Sequence, residues 1–407
     1  MTPKEIKYVP HNLKDLLIAT KDTSELMIDL AYSAMIYDDE DIAEEVINLE
    51  EKMDTLDYHM KIAAMMSARR VDEAEEMSGV LQVARASENI SNAAGDIAKI
   101  VLMDMGIPTE LKLAMREAEE TITRATVSED SPIAGRTLGD IELDTETGMW
   151  IIAIRRNNEW IYNPNHASRI RADDVLFARG HDEGVPIFME LVTARKYVPR
   201  EVPHERFLID LERAVDIIVE MKNMGELSVG LAYSALLFDN EDIAYEVKAL
   251  EAEMDTMKYE LQHWVLETAK HVPDVNQLRG LLHLANAAEA VSDAAYTIAD
   301  TVLRDIELHP VITLAVRQSD EVITKLMVQQ CSPIVGKTFG HLKLETETGV
   351  HIMAIKRDDK WVYRPNKRTV IQGGDLLIAR GSRMGEDAFF EMCACPFESE
   401  DEDKEGS

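Results

Sequence analysis

Leu30-Ala31-Tyr32-Ser33-Ala34 returns unchanged as Leu231-Ala232-Tyr233-Ser234-Ala235, 201 positions further along the chain. The same offset carries Glu40-Asp41-Ile42-Ala43 onto Glu241-Asp242-Ile243-Ala244, and Met53-Asp54-Thr55 onto Met254-Asp255-Thr256. It still holds at Thr145-Glu146-Thr147-Gly148 against Thr346-Glu347-Thr348-Gly349, and at Arg179-Gly180 against Arg380-Gly381. An offset that never drifts leaves no room for a net insertion. A unit this long is a duplicated set of domains and not a solenoid of short repeats.

Within each unit the texture changes once. Leu26, Met27, Leu30, Ala31, Ala34 and Met35 form one stripe at helical spacing. Asp38-Asp39-Glu40-Asp41 then supplies a helix cap and an acidic first turn. A second helical run is predicted to about Ala68 and a third from about Asp72 to Met105, rich in Ala and Ser. Gly106 and Pro108 stop it, and a fourth helix is expected to reach about Val127. Long helices with short connections make an antiparallel bundle. After Ser131-Pro132 the pattern turns to strands. Trp150-Ile151-Ile152-Ala153-Ile154 and Trp160-Ile161-Tyr162 form a hairpin around Asn157-Asn158. Val175-Leu176-Phe177-Ala178 is a further strand, and a helix near Val185–Thr193 closes the unit.

The expected class is therefore α+β, with five segments: bundle one over 11–127, a strand-rich domain over 128–197, bundle two over 205–328, a second strand-rich domain over 329–395, and an acidic, disordered tail over 396–407. The 407 residues allow two to four domains. Few aromatics (6%) and 21 methionines favour Leu/Ala/Met helix packing.

The formal charge of −33 repels nucleic acid and anionic membranes, so neither is an expected partner. The longest stretch free of Asp, Glu, Lys and Arg is the 12 residues Leu227–Phe238, whereas a membrane-spanning helix needs about 20. The N-terminus has no apolar signal core, so direct membrane insertion is not expected and a cytoplasmic location is. Three cysteines, Cys331, Cys393 and Cys395, argue against a disulfide framework and for a reducing compartment.

No Gly-x-Gly-x-x-Gly follows a strand, no phosphate-binding loop is present, and none of the 11 histidines makes a zinc-type pair. A nucleophile with its base is equally absent, so an enzyme is not expected, and a metal-dependent hydrolase has only carboxylates to work with. Those carboxylates fall one helical turn apart: Glu50 and Asp54, then Glu88 with Asn92 and Asp96, and in the second copy Glu251 with Asp255 and Glu289 with Asp293. Facing each other, such pairs would offer hard oxygens to a divalent cation; facing water, they are ordinary solvated charge. Basic pairs, Arg155-Arg156 and Lys356-Arg357, precede Trp160, Tyr162 and Pro164 and Trp361, Tyr363 and Pro365. They fit either an anionic ligand such as a nucleotide phosphate or a charged hairpin edge.

The helical parts resemble PhoU-type bundles, through Asp41-Ile42-Ala43, Glu50-x-x-x-Asp54 and Ser87-Glu88-Asn89-Ile90-Ser91-Asn92, and through Asp242-Ile243-Ala244, Glu251-x-x-x-Asp255 and Glu289-x-x-x-Asp293. The strand-rich parts resemble the C-terminal domain of TrkA-type potassium-transport regulators, RCK_C, through Ser131-Pro132-Ile133-x-Gly135, Ile152-Ala153-Ile154-Arg155-Arg156, Pro164 and Asp174-x-Leu176-x-x-x-Gly180, and their second-copy equivalents. The resemblance implies a non-catalytic, ligand-sensing accessory protein of cation transport, potassium first, with phosphate-transport regulation as the alternative. It implies metal at the carboxylates Glu50, Asp54, Glu88, Glu251, Asp255, Glu289 and Asp293. Asn92 departs from that pattern. It also implies cyclic di-AMP near Arg155, Arg156, Pro164, Lys356, Arg357 and Pro365, self-association through either domain type, and a membrane channel or transporter as partner. The nucleotide-binding half of TrkA-type proteins has no counterpart, so NAD is not expected.

Overall fold

A computed structural model describes residues 9–116, 120–141, 143, 147–157, 159–198, 209–272, 275–304, 309–318, 322–358, 360–381 and 383–395. The expected acidic tail lies outside them. Helix α1 (Leu13–Tyr37) starts where the Asn12 side chain accepts the Lys14 N–H at 3.0 Å. It ends at Asp38, whose left-handed φ of 54° turns the chain. Asp39 then caps α2 (Glu40–Ser67) by accepting the Ile42 N–H, and α3 (Val71–Leu102) returns alongside both. These three helices follow the sequence periodicity closely.

The fourth element differs from the expectation. Helix α4 covers only Thr109–Arg116, and Glu120–Thr126 is a strand, β1. Thr121, Ile122, Thr123 and Thr126 are β-branched, which suits a pleated, half-buried surface better than a helix. Strands β2 (Met149–Arg156), β3 (Glu159–Tyr162) and β4 (Val175–His181) join it in an antiparallel sheet ordered β1-β4-β2-β3, and α5 (Val185–Thr193) covers one face. The second copy repeats the order with α6 (Ile209–Phe238), α7 (Glu241–Ala269), α8 (Asn276–Leu303), α9 (Val311–Gln318), β5 (Val322–Met327), β6 (Val350–Arg357), β7 (Lys360–Tyr363), β8 (Leu376–Gly381) and α10 (Arg383–Cys393). Its sheet is ordered β5-β8-β6-β7.

The two bundles are not separate. Helices α3 and α8 pack together, α4 crosses onto α6, and α9 crosses onto α1. One apolar core runs through both copies and takes in Ile152, Ala153 and Phe177 from the first sheet and Met353, Ala354 and Ile378 from the second. Each sheet buries its other face in a small core of its own, with Ile154 and Phe188 in one and Ile355 and Phe389 in the other. Burial on both faces explains the apolar runs Met149–Ile154 in β2 and Ile352–Ile355 in β6. A register shift in each (Ile151/Ala153 and Ile352/Ala354) marks a bulge there. Gly180 makes the β2–β4 crossing possible, because a Cβ there would lie 2.2 Å from the Gly148 carbonyl oxygen.

The cysteines also depart from expectation. Cys331 and Cys395 form a disulfide with Cα atoms 5.3 Å apart, tying the loop after β5 to the end of α10. The expectation rested on cysteine number, which carries no information about which side chains the fold brings together. Cys393 is free and buried, and burial pushes its thiol up to about 12.

Candidate functional site

The sheets meet the bundles at the start of the second helix of each copy. Arg155 reaches Asp41 at 3.3 Å and Lys356 reaches Asp242 at 2.5 Å. Tyr162 donates its hydroxyl hydrogen to Glu45 and Tyr363 to Glu246. Burial, then the facing carboxylate, pushes both phenols well above their ordinary range. In copy one Arg124 adds an ion pair to Asp39. Each strand-rich domain is thus pinned at matching positions to a helix of its own copy.

The expected basic pairs are split by the strand itself, because successive side chains point to opposite faces. Arg155 and Lys356 turn to the bundle. Arg156 turns away and grips Asp174 through two hydrogen bonds, Nε at 2.8 Å and Nη2 at 2.7 Å, and also donates to the Arg169 carbonyl at 2.7 Å. Asp174 is 2% exposed and takes a further hydrogen bond from the Arg171 N–H. Arg357 repeats this with Asp375 at 2.8 Å through both nitrogens. The pleat thus splits each pair: Arg155 and Lys356 lie against exposed carboxylates of the bundle, and Arg156 and Arg357 against buried ones of their own sheet domain. Pro164 is buried beside a cleft lined by Leu138, Met149, Trp150 and His166, whereas Pro365 is partly exposed in the equivalent loop.

The carboxylates sit on neighbouring turns of α2 and α3, and of α7 and α8. Burial, countered by Lys99 and reinforced by Asp96 and Asp54, pushes Glu50 up; burial with Asp57 and Asp54 does the same to Glu88. Glu50 lies so close to α3 that a Cβ on Gly95 would approach its Oε2 to 2.6 Å. In copy two Glu251 is raised by burial and then by Asp255, Asp293 and Glu289, and Asp293 by burial, Glu289 and Asp255. A lysine ammonium enters each set: Lys99 lies 2.8 Å from Asp96 and 4.0 Å from Glu50, and Lys258 lies 2.7 Å from Glu289. Among the described residues no three His, Cys, Asp or Glu side chains form a metal-holding group. Lysine thus offsets part of the charge at Glu50 and Asp96 in copy one and at Glu289 in copy two, while Glu251 and Asp293 face other carboxylates.

A second polar centre, which the sequence reading missed, lies where the two copies meet their sheets. Lys21 bonds Glu25 at 2.7 Å and Lys222 bonds Glu226 at 2.8 Å. Each ammonium also lies over a tyrosine ring of the other copy, Lys21 over Tyr233 and Lys222 over Tyr32. Burial pushes the Lys21 ammonium down, but Glu25 and Asp22 more than restore it. Arg179 reaches the buried Asp29 at 2.9 Å. The repeated Lys21 and Lys222 within otherwise apolar helical stripes were the available signal. An exposed ion pair, Lys367 to Glu183 at 3.1 Å, links the two strand-rich domains.

Two family models match, each twice. The PhoU domain covers residues 18–101 and 218–302, and the TrkA-C domain covers residues 122–193 and 323–394. A "Probable potassium channel protein 2" of Methanocaldococcus jannaschii is 32% identical over 92 residues, which is 22% of this chain and 27% of that protein. The ammonium/H(+) antiporter subunit AmhM of Alkalihalophilus pseudofirmus is 22% identical over 112 residues, 28% of this chain and 67% of that one. The chain thus spans about a quarter of the first relative and two-thirds of the second. Among solved structures, PhoU from Pseudomonas aeruginosa is similar over 72% of this chain and 96% of its own, at TM-score 0.39 and 10% identity. The GsuK RCK domain is similar over 78% of each chain at TM-score 0.19 and 14% identity.

Proposed function

From a chain that is a tandem of two PhoU and two TrkA-C domains, we propose a non-catalytic, ligand-sensing regulatory subunit of cation transport, with potassium as the ion and a membrane channel or antiporter as the partner. The observation that carries this reading is the pinning of each TrkA-C sheet to its own PhoU helix, through Arg155–Asp41 with Tyr162–Glu45 and Lys356–Asp242 with Tyr363–Glu246. A ligand that changes the sheet acts directly on the helix start, so it biases the bundle if it binds two arrangements of that joint unequally. The channel and antiporter relatives share part of this chain, which supports transport as the process regulated. No described helix is long and apolar enough to cross a membrane, so the partner supplies the pore. Cyclic di-AMP is the ligand to titrate at the TrkA-C domains. Self-association through either domain type belongs to the same reading, as does a cytoplasmic location beside the partner.

The PhoU domains, which supply the shared core, favour a second reading: regulation of phosphate transport or signalling. Capture of the untagged full chain from native membranes separates the two. A cation channel or antiporter in the complex supports the first reading, and a phosphate transporter or its sensor kinase replaces it with the second.

A further inference from the structure

The second TrkA-C domain differs from the first where the loop after its opening strand meets the end of its last helix. Cys331 and Cys395, bonded with their Cα atoms 5.3 Å apart, stand where copy one has Asp130 and Ala194. Cys331 is exposed and Cys395 half-buried, so a small reagent reaches the Cys331 sulfur first. Gln329, the counterpart of Ser128, brings its Oε1 to 3.5 Å from the Cys331 Sγ and 3.0 Å from the Cys395 Sγ. A disulfide sulfur carries no hydrogen to give that oxygen, whereas a thiol does. The fold thus holds an acceptor for the reduced pair.

The helix end is also seated differently in the two copies. In copy one the Ser131 hydroxyl donates to the Leu191 carbonyl at 2.8 Å, which leaves the Val192 carbonyl to the Ser128 N–H at 3.0 Å. In copy two the matching Ser332 hydroxyl donates one residue further along, to the Cys393 carbonyl at 2.7 Å, and Cys393 is the counterpart of Val192. Helix α5 runs to Thr193, whereas α10 stops at Cys393, one residue earlier in the repeat. One fold therefore shows two discrete seatings of the same helix end, and the shifted one is the one that the disulfide ties.

We propose that Cys331–Cys395 is a site of reversible thiol–disulfide exchange with a low-molecular-weight thiol, and that its state selects between these two seatings. In reduction a thiolate RS⁻ attacks the Cys331 sulfur, the Cys331–Cys395 bond breaks, and Cys395 leaves as a thiolate that takes up a proton. A second RS⁻ attacks the reagent-derived sulfur of the mixed disulfide; RSSR forms, and Cys331 leaves and is protonated in turn. Two RSH are consumed for each RSSR released, and oxidation by RSSR is the same sequence reversed. With the tie open, Ser332 moves back to the Met392 carbonyl and the Gln329 N–H takes the Cys393 carbonyl, as their counterparts do in copy one. Buried Cys393 takes no part. Copy one has no cysteine, so the device acts on one of the two TrkA-C domains only.

The test takes the full chain through glutathione buffers stepped from oxidising to reducing and back. Acid quenching, alkylation and mass spectrometry count the thiols, and nuclear magnetic resonance follows hydrogen exchange at single amides. Cys331 and Cys395 should open and close together while circular dichroism stays native. On reduction the Gln329 amide should exchange roughly tenfold more slowly, the protection of one added hydrogen bond, and the Ser128 amide should not change. Mere loosening has the opposite sign, because loss of a crosslink speeds exchange throughout the loop. Cys331→Asp combined with Cys395→Ala, the residues that copy one folds with, should show the slow Gln329 amide in every buffer. A chain that forms no Cys331–Cys395 bond on oxidation, a bond that opens only on unfolding, or Gln329 exchange unchanged or faster in the reduced chain would overturn the proposal. None of these outcomes depends on which transporter the chain regulates, so this proposal and that reading fail separately.

Discussion

Removing the Arg156 guanidinium separates a ligand-binding role from a structural one. Asp174 is 2% exposed, and Arg156 supplies two of its hydrogen bonds, at 2.8 and 2.7 Å. In Arg156→Met the carboxylate stays buried with the Arg171 N–H as its remaining donor in the same network. Stranding one member of a buried pair costs about 3–5 kcal/mol. The Arg156 side chain is 19% exposed, so water screens part of the change, and about 2–3 kcal/mol is the better expectation. A kcal/mol moves the midpoint of a domain this size by about 4–8 °C, so the copy-one sheet should melt on the order of 10 °C or more below the parent. Trp150 and Trp160 lie on β2 and β3, and their fluorescence reports that transition. The double variant Arg156→Met with Asp174→Asn should recover part of the loss, since no charge is left buried. Unchanged melting in Arg156→Met would refute the reasoning and return Arg156 to the surface of a ligand site.

In oxidised protein Cys393 should be the one free thiol and react only on unfolding; reduction should lower the melting of the second TrkA-C domain by about 4 kcal/mol at most, from the entropy of a 64-residue loop. The first TrkA-C domain, with Asp130 and Ala194 at the equivalent positions, should ignore the reductant. Because Glu251 and Asp293 hold their protons more tightly in the folded chain, their contribution makes the protein more stable as pH falls from neutral through their raised values. Glu251→Gln and Asp293→Asn should therefore raise the melting temperature at pH 7 and lose that advantage in acid, as seen by calorimetry at both ends. Gly180→Ala should disrupt the β2–β4 crossing and lower the copy-one sheet transition, since its Cβ has no space beside the Gly148 carbonyl. Tyr162→Phe, which removes the hydrogen bond to Glu45, should cost about 1 kcal/mol in melting and loosen the sheet-to-helix joint.

The duplication, the long helices and the hairpins were legible because periodicity and turn chemistry are local. Asp39 and Asn240, for example, cap α2 and α7 at matching places. The strand β1 was read as helix although its run of threonines with Ile122 carried the opposite signal. Arg155 and Arg156 look like one cluster in the sequence, yet the pleat sends them to different carboxylates on different elements, Asp41 and Asp174. Which partner each side chain finds is a tertiary matter, and so is the meeting of Lys21 with Tyr233 across the two copies. The lysines at the carboxylate turns are hidden from the repeat pattern for a related reason: Lys99 in copy one and Lys258 in copy two do not occupy equivalent positions.

Rubidium uptake, a tracer for potassium, measured beside phosphate uptake in native cells lacking the chain and in cells with it restored, tests the regulatory reading most directly. Loss of the chain should change rubidium flux and leave phosphate uptake alone, and a restored chain carrying Tyr162→Phe and Tyr363→Phe, with the joints loosened, should fail to reset it. Altered phosphate uptake with unaltered rubidium flux would contradict the account.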